Sequence, residues 1–420
     1  MAERITQKKL LERFQPTDAW IYFLVYSASV LVAFIKTLYI AKALMPEQMG
    51  WFISLTLVSG LMIYFSNLGV MDAYLIRTRV IQRRETSAGL LRGQLYLVAI
   101  VMSGMTTMPI LIYGYVYMQH QYQALNPSLA AAYLFLQPIQ AATLIDLQAD
   151  GRLRRYSSYI LIKSAAPLIA IATARSLNSI YIDINFILIC EVSTSAALIA
   201  ITIGSYRHGL AFNPRLKLIM RLAKQGLYFT ANAMLNNIAS NIDKWFVLAS
   251  YGFGSAGAYS ISTQLILVGT TIAGMITTYM TPRIAHSECS LCNVIKRHNK
   301  WSAALAASGA ILGTSFIYLF WGYITHNYSA YELSFEIFAC AAITMSFIGA
   351  NFYEAYFRVT NSGKLYFFIQ VTSNVFLITL LTLVYFLRLD IYWVAIFVMI
   401  AKAFTWTACR ILATRQSKRK

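Results

Sequence analysis

Ionisable side chains stand inside or at the edges of long apolar stretches of this 420-residue sequence, among them Lys36, Lys163, Lys244, Lys402, Glu191 and Asp243. A charged side chain at the centre of a bilayer costs at least about 2.5 to 3.5 kcal/mol on insertion scales, so each needs a partner, a wet cavity or a function. Lys36 and Lys244 admit three readings: snorkelling to the headgroups, pairing between helices, or facing a lumen as contacts for a negatively charged substrate. Lys402 lies near the middle of the last apolar stretch, where snorkelling must cover roughly 10 Å or more, so it reads as an interior charge or half of a buried pair. Lys163 and Glu191 come to equal depth if the fifth and sixth helices are antiparallel neighbours, which predicts either a structural salt bridge or a switchable coupling pair. Asp243 is a further coupling candidate. Asn232 and Asn236 add a polar face to the seventh helix and join the lysines as candidate substrate contacts.

No catalytic constellation accompanies these charges. Cys289 and Cys292 form a Cys-x-x-Cys near His286 and His298, half of a zinc site at most, on a short basic loop. His120 stands in a loop without an acid or nucleophile to complete an active site. There is no P-loop and no clustered carboxylate pair, so neither an ATPase nor a metal-dependent transferase is expected. No metal and no cofactor are expected, and a proton or sodium ion remains open as the coupling species.

The elements that must position the charges are membrane-spanning helices. The chain is 58% hydrophobic and 12% charged, with a mean hydropathy of +0.57, whereas soluble domains carry about 25% charged residues. Apolar runs long enough to cross a hydrocarbon core recur from Trp20 to Trp406, and their continuity selects helices over barrel strands. The fold class expected is all-α integral membrane, with about twelve transmembrane helices in two six-helix bundles around a central cavity. The expected domains are an N-terminal bundle over 1–204, a cytoplasmic amphipathic connector over 205–224, and a C-terminal bundle with a basic tail over 225–420.

The net charge of +19 follows this topology and does not mark a nucleic-acid binder. With the N-terminus inside, 28 of the 35 Lys and Arg residues fall in segments assigned to the cytoplasm, and only Arg175 and Arg388 fall in external loops. By the positive-inside rule the chain is expected in a bacterial inner membrane, multi-pass, with both termini cytoplasmic. A parallel repeat is also visible. Lys36 and Lys244 each precede an aromatic residue, Trp51 and Tyr259, by fifteen positions, and Ala41 matches Ala249.

Two stretches resemble a known family. The first is Ala43-Leu44-Met45-Pro46-Glu47-Gln48-Met49-Gly50-Trp51 with Phe65-Ser66-Asn67-Leu68-Gly69. The second is Asn241-Ile242-Asp243-Lys244-Trp245, then Tyr251-Gly252 and Gly257-Ala258-Tyr259-Ser260. Both resemble the O-antigen and polysaccharide repeat-unit flippases called Wzx, of the multidrug, oligosaccharidyl-lipid and polysaccharide exporter superfamily. The resemblance implies alternating access around a cationic cavity, moving an undecaprenyl-diphosphate-linked oligosaccharide from the cytoplasmic to the periplasmic leaflet. Lys36, Lys244 and Lys402 would then receive the diphosphate. Partners expected on this basis are that lipid-linked oligosaccharide, membrane lipids, and a polysaccharide polymerase with its chain-length regulator. The alternative is a cation-coupled multidrug exporter of the same superfamily, and the second alternative is a membrane polysaccharide polymerase or glycosyltransferase.

Overall fold

The computed structural model describes residues 16–71, 73–74, 85–113, 125–149, 152–177, 182–205, 214–286, 291–347, 353, 356–357 and 363–419. They form α1 (Pro16–Ala43), α2 (Pro46–Asn67), α3 (Glu85–Tyr113), α4 (Pro127–Ala149), α5 (Leu153–Ser176), α6 (Ile184–Gly204), α7 (Leu216–His286), α8 (Leu291–Asn327), α9 (Phe335–Ser346), α10 (Gly363–Leu387) and α11 (Ile391–Arg419). Nine helices among the described residues are long and apolar enough to cross a membrane, and α9 is a shorter apolar helix. The 71-residue α7 is broken at Gly252, whose φ of 83° only glycine adopts readily, so the stretches 216–251 and 253–286 are two helices joined at a kink. With α7 counted twice, the all-α fold has about twelve helices.

Local sequence explains where helices start and what they tolerate. Proline occupies the first position of α1, α2 and α4, where its missing N–H is not needed. Asp183 caps α6 by accepting from the Phe186 amide at 2.9 Å, and Ser334 caps α9 by accepting from Ile337 at 3.4 Å. Pro109, Pro138 and Pro167 lie inside α3, α4 and α5, which neighbouring helices make tolerable in hydrocarbon.

The described residues divide into two compact units. The first comprises 16–44 and 52–240, the second 45–51 and 241–419. In the first, α1 packs along α5, α3 along α4, and α4 against α5 and α6. Its main core gathers Val70, Met71, Tyr74, Leu95, Tyr96, Ile139 and Leu222, with Leu218, Ile219 and Ala223 packed against it. The beginning of α7, expected to lie on the membrane surface, thus turns an apolar face into protein. Leu216 and Met220 on the same segment remain exposed.

In the second unit α8 packs on α9, α10 on α11, and α11 on α8 and α9. Its core joins Val247, Tyr259, Ile337, Leu377, Leu381, Val394 and Val398. The two stretches that carry the family resemblance meet here: the Trp51 ring stacks on Phe253 with centroids 3.9 Å apart. A Cβ on Gly50 would come within 2.0 Å of the Phe253 carbonyl oxygen.

Candidate functional site

Each unit buries one acid within reach of two lysines. In the first unit, the packing of α1 on α5 and of α5 on α6 brings Lys36, Lys163 and Glu191 to one level. Lys36 Nζ donates to Glu191 Oε1 at 2.5 Å, a pair joining residues 155 positions apart. Glu191 is 3% exposed and the Lys36 side chain 14%. Lys163 Nζ donates to Gln137 Oε1 of α4 at 3.5 Å and feels the charges of both Glu191 and Lys36. Tyr133 of α4 also faces Glu191, with Thr56 and Ser59 of α2 beside its hydroxyl. Taking both charges of such a pair out of water is costly, and the close contact offsets that cost only while both partners stay in place.

In the second unit the acid is Asp243 of α7. It is buried, and its Oδ2 accepts from the Tyr259 hydroxyl at 2.9 Å, a residue beyond the break at Gly252. Lys244 and Lys402, the latter from α11, both feel the charge of Asp243. Among the described residues neither lysine closes an ion pair with it. The buried acid near Lys402 that the sequence could not name is therefore Asp243.

The equal-depth rule set Lys163 opposite Glu191; in the structure Lys163 feels the charge of Glu191, and the direct hydrogen bond to that carboxylate comes from Lys36. Sequence neighbours meet as antiparallel pairs, whereas the ammonium that reaches Glu191 comes from α1, which packs on α5 from far away in the chain. Applied to α3 and α4, the same rule would have found a pair that the sequence reading missed. Arg92 Nε donates to Asp146 Oδ1 at 2.8 Å, Tyr74 donates to the same oxygen at 2.6 Å, and Tyr96 donates to Oδ2 at 3.5 Å. Asp146 is fully buried, and this cluster ties three segments of the first unit at the end where α3 begins and α4 ends.

His120 and Cys289 lie outside the described residues, as do the side chains of Tyr22, Asn232, Asn236, His286 and Cys292. No group of three metal-ligating side chains occurs among the described residues. Cys190 and Cys340 are free thiols.

These features define a multi-pass integral membrane protein with a transporter fold that buries acidic side chains among its helices. The chain matches the family described as "Polysaccharide biosynthesis protein" over residues 17–288 and belongs to that family. No curated protein matches it by sequence. Among solved structures it is similar to an inward-facing multidrug resistance MATE family transporter of the MOP superfamily, at 11% identity and a TM-score of 0.68, covering 96% of this chain and 98% of that one. A mutant of the Vibrio cholerae MATE transporter VcmN matches at 12% identity and a TM-score of 0.64, covering 96% and 98%. A MOP superfamily transporter from Pyrococcus furiosus matches at 14% identity and a TM-score of 0.61, covering 96% and 94%. That last protein is described as having a reversed binding-pocket polarity that suggests a different function.

One expectation is corrected by these findings. The sequence reading named an undecaprenyl-diphosphate-linked oligosaccharide as partner, with a polymerase and a chain-length regulator beside it. Solved structures that share the fold include multidrug resistance transporters of the MATE family, a finding that overturns that partner assignment. The geometry gives a physical reason as well: Lys36, expected to meet a diphosphate, already spends its charge on Glu191.

Proposed function

We propose that this chain is a secondary transporter that exports amphipathic small organic molecules by alternating access, with ion movement coupled through the Lys36–Glu191 pair. The observation that carries the reading is the buried pair itself, flanked by Lys163. A carboxylate whose partner can be exchanged for a proton is a low-cost two-state element inside a membrane, where few other groups can change charge. Two lysines gather around Glu191 and two around Asp243, while Asp146 is matched by Arg92, so the interior favours neutral or anionic compounds over organic cations. The reversed pocket polarity described for the Pyrococcus furiosus transporter supports the idea that this fold accommodates either sign.

The test is transport in proteoliposomes under an imposed pH or sodium gradient, with tritiated taurocholate as amphipathic anion and ethidium as cation. Gradient-driven movement of taurocholate, abolished by Glu191→Gln at normal protein abundance, is the expected result. Preference for ethidium, or transport indifferent to both gradients, counts against the reading. A second reading, a transport role in making surface polysaccharide, is supported by the family match over residues 17–288. Deletion of the gene followed by analysis of surface glycan separates the two.

A further inference from the structure

We propose that a file of buried polar side chains in the first unit, formed by Glu191, Ser195, Gln140 and Tyr159, holds internal water and carries protons between the Lys36–Glu191 pair and the end of the unit where α5 begins. This inference rests on the ion coupling proposed above and assigns the coupling ion and its route. Ser195 lies one helical turn beyond Glu191 on α6, about 6 Å along the axis and on the same face. Gln140 of α4 reaches it, with Nε2 donating to Ser195 Oγ at 3.3 Å. The Tyr159 hydroxyl of α5 faces Gln140. From Tyr159 the start of α5 is less than two turns away, where Arg154 and Arg155 are exposed. Each step from Glu191 therefore moves towards the same end of the unit.

Two buried polar atoms of this file call for a further hydrogen-bond partner. Gln140 Oε1 and the Tyr159 hydroxyl are both buried, and neither has a hydrogen-bond partner among the described residues. Gln140 is 1% exposed, Ser195 1% and Tyr159 4%. Leaving a buried polar atom unpaired costs about 1–3 kcal/mol. A water that donates to Gln140 Oε1 and accepts from Tyr159 satisfies both, which is the usual role of internal water at polar sites. An apolar lining would stay dry, and this one is not apolar.

The proton balance along the file closes without any further reactant. A proton held by the Glu191 carboxyl passes to water, and Lys36 Nζ neutralises the carboxylate left behind. The hydroxyls of Ser195 and Tyr159 both donate and accept, so they can relay; the Gln140 carbonyl only accepts and orders the water. The groups that face Glu191 are Lys36 from α1, Lys163 from α5, Tyr133 from α4 and its own neighbour Cys190 on α6.

Two measurements test this on the full chain in a bilayer. In radiolytic hydroxyl-radical footprinting, Tyr159 should be oxidised several-fold faster than Tyr96, a tyrosine buried at least as deeply in the same unit, and Gln140→Leu should bring Tyr159 down to the Tyr96 rate. Labelling of Tyr159 no faster than Tyr96 in the parent overturns the internal water. In proteoliposomes under a pH gradient, Tyr159→Phe, which removes only the hydroxyl, should slow taurocholate transport several-fold, and by more than it slows exchange without a gradient. Proton-driven transport at the parental rate in both Tyr159→Phe and Gln140→Leu, at normal membrane abundance, overturns the file alone. A parent chain that ignores the pH gradient overturns the proton coupling itself, here and in the preceding section.

Discussion

In the first unit a carboxylate on α6 is clasped by an ammonium from α1, while in the second the carboxylate and one of its lysines are consecutive residues of α7. Consecutive helical residues point about 100° apart, so Lys244 is poorly placed to turn back onto Asp243. Lys402 approaches from α11 without closing a pair, and the Tyr259 hydroxyl takes the bonding position instead. The same composition, one acid with two lysines, therefore has two electrostatic outcomes. The first unit locks its charge by a tertiary contact, and the second leaves two lysines free of direct ion pairs among the described residues.

The largest effect that can break this comparison is loss of one partner in the first unit. Lys36→Met leaves Glu191 buried without its closest counter-charge and is expected to destabilise by about 3–5 kcal/mol, whereas Lys36→Met with Glu191→Leu should recover most of that loss. Thermal unfolding in detergent, with membrane abundance alongside, reads both. Asp243→Asn keeps a hydrogen-bond acceptor for Tyr259 and should cost less, about 1–2 kcal/mol. Equal losses in the two units would show that the Lys36–Glu191 contact is no stronger than the looser arrangement around Asp243.

A smaller effect concerns how each unit holds α7. A Cβ on Gly226 would fall 1.7 Å from the Gly69 carbonyl oxygen, backbone against backbone. Gly226→Ala is expected to cost about 1–3 kcal/mol by overpacking and to loosen the start of α7 from Leu95 and Tyr96. Limited proteolysis in the connector region should accelerate. Gly252→Ala meets no neighbouring atom but forces φ of 83° and ψ of −177° on an alanine, a backbone cost of about 1–3 kcal/mol. If Gly226→Ala is as stable as the parent, the close approach of α7 to Gly69 is not a fixed feature.

Helix caps sharpen the comparison further. Asp183→Ala and Ser334→Ala should each cost about 1 kcal/mol, with Asp183 the larger because its bond is 2.9 Å against 3.4 Å. The smallest effect is alkaline. Burial, then the neighbouring Tyr328, raises the Tyr331 hydroxyl above its ordinary value of 10.0. The folded state holds that proton more tightly than the unfolded chain, so the contribution is intact below about pH 10 and is lost as pH rises through the raised value. Tyr331→Phe should flatten stability in that window, and an unchanged alkaline slope would remove Tyr331 as its source.

The architecture was legible because hydropathy is a one-dimensional property. A span must be apolar over its whole length wherever its neighbours lie, so the run from Trp20 to Trp406 already implied about twelve helices. The break at Gly252 was legible in the same way, since Tyr251-Gly252 separates two apolar runs. Depth is also nearly one-dimensional, which is why Lys163 and Glu191 were placed at one level. Partner choice is not. Whether Lys36 or Lys163 closes on Glu191, whether Asp146 gathers Arg92, Tyr74 and Tyr96, and whether Gln140 meets Ser195 depend on which helix packs beside which and at what rotation. Those contacts join residues up to 155 positions apart, and only the packed helices bring them within hydrogen-bonding distance.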